Sequence, residues 1–170
     1  MVLIMVTRTD FNRYMMPTYK PADFVPSKAK GSIVWDKKNK KYIDFASGIA
    51  VSSLGHCHPT LNKALTDQSK KIWHLSNLLT NEPALRLAKI FCKHTFAEKV
   101  FFANSGAEAV EGAVKTARKH AYLNISKKKN EIVSFSDAFH GRTMMAIALN
   151  GSDRFIELSL IHISEPTRPY

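Results

Sequence analysis

Three short stretches of the 170-residue chain hold residues whose types and spacing can do chemistry. The first is Asn104-Ser105-Gly106-Ala107, lying between the apolar run Lys99-Val100-Phe101-Phe102-Ala103 and a segment of helical periodicity. Ser105 followed by Glu108 has capping-box spacing: the hydroxyl accepts from the Glu108 N–H while the carboxylate reaches back. The first N–H groups of a helix have no acceptor inside it. The helix dipole adds partial positive charge there, and Gly106 leaves the backbone open to close approach. The chemistry is anion binding, with phosphate the natural ligand. An ordinary capped helix has the same spacing, and neither GxGxxG nor GxxxxGK[ST] is present.

The second stretch is Asp137-Ala138-Phe139-His140-Gly141-Arg142. A ring beside a guanidinium can stack on a planar cofactor and hold a carboxylate by a two-pronged contact. A loop with a packed Phe and a surface Arg is the competing reading. His140 reads as a structural group rather than a catalytic base. The third stretch, His56-Cys57-His58, has metal-ligand types but is too compressed to supply a tetrahedral set, and no further ligand pair stands in register with it. No metal site is expected, and no Ser/His/Asp arrangement stands out.

These stretches need elements to position them. Lys99–Ala103 reads as a buried parallel strand. Val110, Val114, Ala117 and Ala121 mark one face of the helix after it, and Ile132, Val133 and Phe135 mark the next strand. Together they form one β-α-β unit with a right-handed crossover. Both candidate loops then follow strand carboxyl ends, where open α/β sheets bind ligands. Upstream, Ile33-Val34-Trp35 and Tyr42-Ile43-Asp44-Phe45 read as a hairpin around the polar turn 36–41. One helix begins near Pro59, with Leu61, Leu65 and Ile72 on its buried face. Another begins near Asn81-Glu82-Pro83, with Ala84, Leu87, Ala88 and Phe91 inward. Trp35, Trp73 and the Phe residues are expected to pack. Residues 7–30, with Pro17, Pro21 and Pro26, read as an irregular arm.

Composition bounds the class. A chain that is 45% hydrophobic suits a soluble globular protein. The net charge of +11, from 25 Lys plus Arg against 14 Asp plus Glu, raises the question of nucleic acid. The lysines are dispersed, however, in groups at 37–41, 70–71 and 127–129, without interleaved aromatics, so they read as solvated surface. Cys57 and Cys92 form no CxxC and suggest no disulfide framework, in keeping with a reducing cytoplasm. The apolar opening Met1–Val6 is too short to span a bilayer and lacks the features of a signal peptide. It is consistent with an upstream start and Met5 as the true one.

Four segments in order, FASGIAVSSLGHCHP at 45–59, HLSNLLTNEPALRLA at 74–88, VFFANSGAEAVEGAVKTAR at 100–118 and DAFHGRT at 137–143, resemble class III (fold-type I) aminotransferases of the acetylornithine type. The resemblance covers roughly residues 10–155. It implies a pyridoxal 5'-phosphate cofactor, amino-acid and 2-oxo-acid substrates, a homodimer and a cytoplasmic location, with neither nucleic acid nor membrane as partner. By resemblance, Ser105, Gly106 and Ala107 bind the cofactor phosphate, Phe139 stacks on the pyridoxal ring and Arg142 binds a substrate carboxylate. The family commonly carries Thr where Ala107 stands, which costs one hydroxyl contact while leaving the backbone donors. Ser76 and Asn77 are weaker candidates near the family's dimer interface.

The implied architecture is α/β: an N-terminal arm and small-domain hairpin over 1–55, then the first β-α-β part of an incomplete, mostly parallel large-domain sheet over 56–157. Residues 158–170 break the preceding pattern, and as far as Arg168 they resemble a translated sequencing adapter, so they are expected to be non-native. The family's Schiff-base lysine and its pyridinium carboxylate lie well downstream. No lysine here stands in the matching context, so no catalytic residue is assigned and the chain itself is expected to be inactive. The parent reaction is N-acetylornithine with 2-oxoglutarate. Succinyl-diaminopimelate, succinylornithine and ornithine are alternative donors, and a non-catalytic phosphate-binding module or a basic nucleic-acid-binding domain are readings of other classes.

Overall fold

The computed structural model describes residues 5–151. The expected non-native tail at 158–170 lies outside the described residues, as do the first four residues of the apolar opening. The chain divides into two compact units, one ending at Leu79 and the other beginning at Thr80.

The first unit is built on a three-stranded antiparallel sheet in the order β1-β2-β3, with β1 Pro26–Lys30, β2 Ile33–Asp36 and β3 Lys41–Ile43. The expected hairpin is β2-β3, with Ile33 opposite Ile43 and Val34 opposite Tyr42. Asp36 makes its turn: one carboxylate oxygen accepts from the Lys38 and Lys40 N–H groups at 2.8 and 2.9 Å, the other from the Tyr42 hydroxyl at 3.1 Å. The 7–30 stretch is more ordered than its prolines imply. It holds the short helix α1 Thr9–Tyr14, and β1 pairs with β2. Pro26 can open β1 because that strand lies at a sheet edge, where a missing N–H costs no ladder bond.

Beyond β3, Ser47–Ala50 (α2) is a single turn with positive φ throughout, tied down by the Asp44 carboxylate, which accepts from the Ala46 and Ser47 N–H groups at 3.0 and 2.9 Å. Gly31 and His56 exchange backbone hydrogen bonds at 2.9 and 2.8 Å. At Gly55, φ is +83° and an added Cβ would lie 3.0 Å from the Gly31 Cα, so only glycine fits. Helix α3, Pro59–Ser69, starts where Pro59 was expected to start it. Its expected inner residues Leu61, Leu65 and the following Ile72 are nonetheless exposed, as is Trp73.

The second unit contains α4 Glu82–His94, α5 Gly106–Asn124 and α6 Met144–Leu149, with α5 packed on α6. The Asn81 side chain caps α4 by accepting from the Ala84 N–H at 3.1 Å. Ala84 and Ala88 are half-buried, whereas Leu87 and Phe91 are exposed. On α5, Val114 is buried and Val110 and Ala121 are half-buried, but Ala117 is exposed.

The expected parallel strands are not formed. Residues 99–103 and 131–135 carry no strand assignment, and the sheet among the described residues is wholly antiparallel and lies in the first unit. A strand exists by pairing its backbone groups with a neighbour, and neither segment has one among the described residues. Apart from the half-buried Val100, their apolar side chains remain exposed, with Phe101 at 81%, Val133 at 94% and Phe135 at 85%. The buried apolar side chains among the described residues are Val114 of α5 and Ala146 of α6. The fold is mixed α/β, with its helices largely where periodicity put them and its parallel sheet unassembled.

Candidate cofactor-phosphate site

The amino terminus of α5 has the expected capping geometry. Ser105 is extended at φ −150° and ψ 163°, and its hydroxyl accepts from the Glu108 N–H at 3.2 Å. The Glu108 carboxylate reaches back to the N–H of Asn104 at 2.7 Å, one residue before the N-cap. The Ala109 N–H donates to the Ser105 carbonyl at 3.0 Å. Among the described residues, no protein acceptor faces the N–H groups of Gly106 and Ala107. An ideal Cβ at Gly106 would meet nothing within 4 Å, so the side-chain direction there is clear. Two adjacent unpartnered donors at the positive end of a 19-residue helix suit a phosphate oxygen.

The loop 137–142 docks against this terminus. Gly141 is buried, with φ +131°, and a Cβ there would lie 2.7 Å from the Ala107 Cβ and 3.1 Å from that of Ala146. The two stretches singled out in the sequence therefore meet through Ala107 and Gly141. Asp137, with φ 57°, opens the loop in a conformation Asp tolerates better than most residues, and its N–H donates to the Gly151 carbonyl at 3.3 Å. Phe139 and Arg142 are exposed residues of this loop. His140 is held through its backbone: its N–H donates to the Asn150 side chain at 2.6 Å.

Sequence reasoning missed Asn150. Only 3% exposed, it accepts from His140 and donates through Nδ2 to the Gly141 carbonyl at 3.1 Å. Before a glycine and after an apolar run, Asn150 reads merely as the end of a helix, and nothing in the spacing signals a contact ten residues back. Ser76 and Asn77 belong to an exposed turn of the first unit, where the Ser76 hydroxyl accepts from the Leu78 N–H at 3.2 Å.

The His56-Cys57-His58 stretch is divided by its backbone. His56 Nε2 lies 2.7 Å from the Asp44 carboxylate, Cys57 is exposed, and His58 Nδ1 is buried without a hydrogen-bond partner. Contact with His56, then the Ser47 N–H, holds the Asp44 carboxyl below its ordinary value of 3.8, against the opposing effect of burial. No group of three or more metal-ligating side chains occurs among the described residues. No helix among them is long and apolar enough to cross a membrane. The lysines at 37–41, 70–71 and 127–129 are exposed.

The two motifs thus meet as a capped helix with two unpartnered N–H groups among the described residues and a Phe- and Arg-bearing loop docked on its first turn. The chain belongs to the class-III aminotransferases, whose family model matches residues 14–166. That class consists of pyridoxal-phosphate-dependent transaminases. The chain is 55% identical over 151 residues to the acetylornithine/succinyldiaminopimelate aminotransferase of Buchnera aphidicola subsp. Schizaphis graminum, covering 89% of this chain and 37% of that one. It is 54% identical over 150 residues to the succinylornithine transaminase of Photorhabdus laumondii, covering 88% and 37%. Among solved structures, it resembles the adenosylmethionine-8-amino-7-oxononanoate aminotransferase of Methanocaldococcus jannaschii, with a TM-score of 0.82 at 28% identity over 88% of this chain and 36% of that one. The chain thus spans little more than a third of the length of the relatives it matches. The family match runs through residue 166 and so crosses the break in pattern expected at 157/158.

Proposed function

We propose that this chain carries the cofactor-phosphate portion of an aminotransferase whose parent reaction moves the distal amino group of N-acetylornithine to 2-oxoglutarate, giving N-acetylglutamate semialdehyde and glutamate. The observation that carries the reading is the open pair of N–H groups at Gly106 and Ala107, against which Gly141 brings the Phe139–Arg142 loop. Both lie within motifs matching the family. Succinylornithine and succinyldiaminopimelate remain alternative amino donors, because relatives named for each share about the same identity with this chain.

In this reading Ser105 fixes the helix start, Gly106 and Ala107 donate to the phosphate, and Phe139 offers its face to the pyridine ring. Arg142 pairs with a substrate carboxylate. When bound, the cofactor supplies an electron sink for the carbon that loses its proton. The Schiff-base lysine and the carboxylate that holds the pyridinium proton are assigned to the parent protein outside this segment. The division into an arm with hairpin over 1–55 and the start of the large domain over 56–157, the homodimer and the cytoplasmic location belong to the same proposal.

The test is the native gene downstream of codon 157, followed by assay of both products. A continuing frame with a lysine after a later strand, and acetylornithine-dependent glutamate formation by the encoded protein, are the expected results. The 170-residue chain alone is expected to give no turnover. Turnover by that chain would refute the assignment of its chemistry to residues elsewhere.

A further inference from the structure

The Asn150 carboxamide touches two particular peptide groups. Its Oδ1 accepts from the His140 N–H, at 2.6 Å, which belongs to the peptide joining Phe139 to His140. Its Nδ2 donates, at 3.1 Å, to the Gly141 carbonyl, which belongs to the peptide joining Gly141 to Arg142. One planar side chain therefore grips the backbone immediately after Phe139 and immediately before Arg142. It is 3% exposed, so neither contact competes with bulk water. Its own backbone is set by the carboxyl end of α6, where the Asn150 N–H donates to the Ile147 carbonyl at 2.9 Å. Ala146 of that same helix lies beside Gly141.

We propose that Asn150 is a positioning residue that sets the spacing and orientation of Phe139 and Arg142 relative to the phosphate anchor on α5. The proposal rests on the cofactor reading above. A carboxamide suits the task because one group supplies an acceptor and a donor in a single plane, which neither Asp nor Leu can do when ionised or apolar. The anchor at Gly106 and Ala107 is built from α5 alone and uses no atom of Asn150. The two functions are therefore separable: loss of Asn150 frees the ring-contacting loop and leaves the phosphate donors in place.

The test uses the 170-residue chain and two probes, inorganic phosphate and pyridoxine 5'-phosphate, measured by equilibrium dialysis. The alcohol replaces the aldehyde because it cannot form imines with the many surface lysines. The wild-type chain is expected to bind pyridoxine phosphate about tenfold more tightly than phosphate, the increment expected of one aromatic contact. Asn150→Ala is expected to remove most of that increment with phosphate affinity changed less than about twofold, and Asn150→Asp, which turns a donor into a charge facing the Gly141 carbonyl, to do the same. Retained phosphate binding reports that the α5 terminus is still folded. Parallel loss of both ligands in both variants would assign Asn150 a purely structural role and overturn the proposal. An undiminished increment would overturn it as well. A wild-type chain that binds neither probe would instead overturn the cofactor reading, and this proposal with it.

Discussion

A Cβ on Gly141 would stand 2.7 Å from the Cβ of Ala107, closer than real side-chain carbons approach. That contact brings the loop bearing Phe139 and Arg142 onto the helix terminus bearing the open donors. Gly141→Ala is expected to separate them. The overpacking penalty is about 1–3 kcal/mol, and φ +131° adds backbone strain for any L side chain. Amide exchange should accelerate at His140 and Gly141 while the middle of α5 is unchanged. Unaltered exchange would refute the contact.

Ser105 is expected to matter to α5 as much as to any ligand. Ser105→Ala removes the acceptor of the Glu108 N–H, at a cost of about 1 kcal/mol for a lost N-cap. Exchange of the Glu108 and Ala109 amides should rise, and phosphate should bind more weakly because the donors it needs are no longer held in line. Ser105→Asp should restore the cap but not the ligand, since its carboxylate repels the anion.

The hairpin unit should lose stability in acid. Asp44 is held below 3.8 by its contact with His56 and by the Ser47 and Ala46 N–H groups. At Asp36, burial raises the carboxyl, but the Lys40 and Lys38 N–H groups and the Tyr42 hydroxyl prevail and lower it. A carboxyl with a folded pKa below its unfolded one binds fewer protons when folded. Its stabilisation is complete above about pH 4 and disappears as pH falls through the lower folded value. Near-UV circular dichroism of Trp35, which precedes Asp36 on β2, should report the loss. Asp44→Asn together with Asp36→Asn should weaken the unit at neutral pH and flatten its acid dependence.

The isolated chain is expected to associate. A groove of about 810 Å³ runs along α5, lined by Phe101, Ala109, Gly112, Ala113 and Ala117 among others. Trp73 at 88% and Phe96 at 102% exposure add apolar surface elsewhere. Unpaired strand segments and open apolar faces invite contacts between chains. Strong binding of an apolar dye and concentration-dependent scattering should follow. A monodisperse monomer with a sharp cooperative melt would contradict this expectation.

Local codes were legible in the residues alone. Pro59 sets a helix start through its fixed φ, Asn81 and the Ser105/Glu108 pair set theirs through bonds made within four positions of themselves, and the β2-β3 hairpin follows from two apolar runs around a turn closed by Asp36. The unpartnered donors at Gly106 and Ala107 belong here too, because orphan N–H groups are a property of any helix start. What depended on distant partners was not legible. Lys99–Ala103 and Ile132–Phe135 have strand composition, yet a strand needs a neighbouring ladder, and none forms among the described residues. Leu61, Leu65 and Trp73 have core composition without a core against them. The docking of Gly141 on Ala107, and the reach of Asn150 back to His140 and Gly141, came only with the tertiary structure. A contact across ten or thirty residues is decided by how elements pack, and spacing along the chain carries no trace of it.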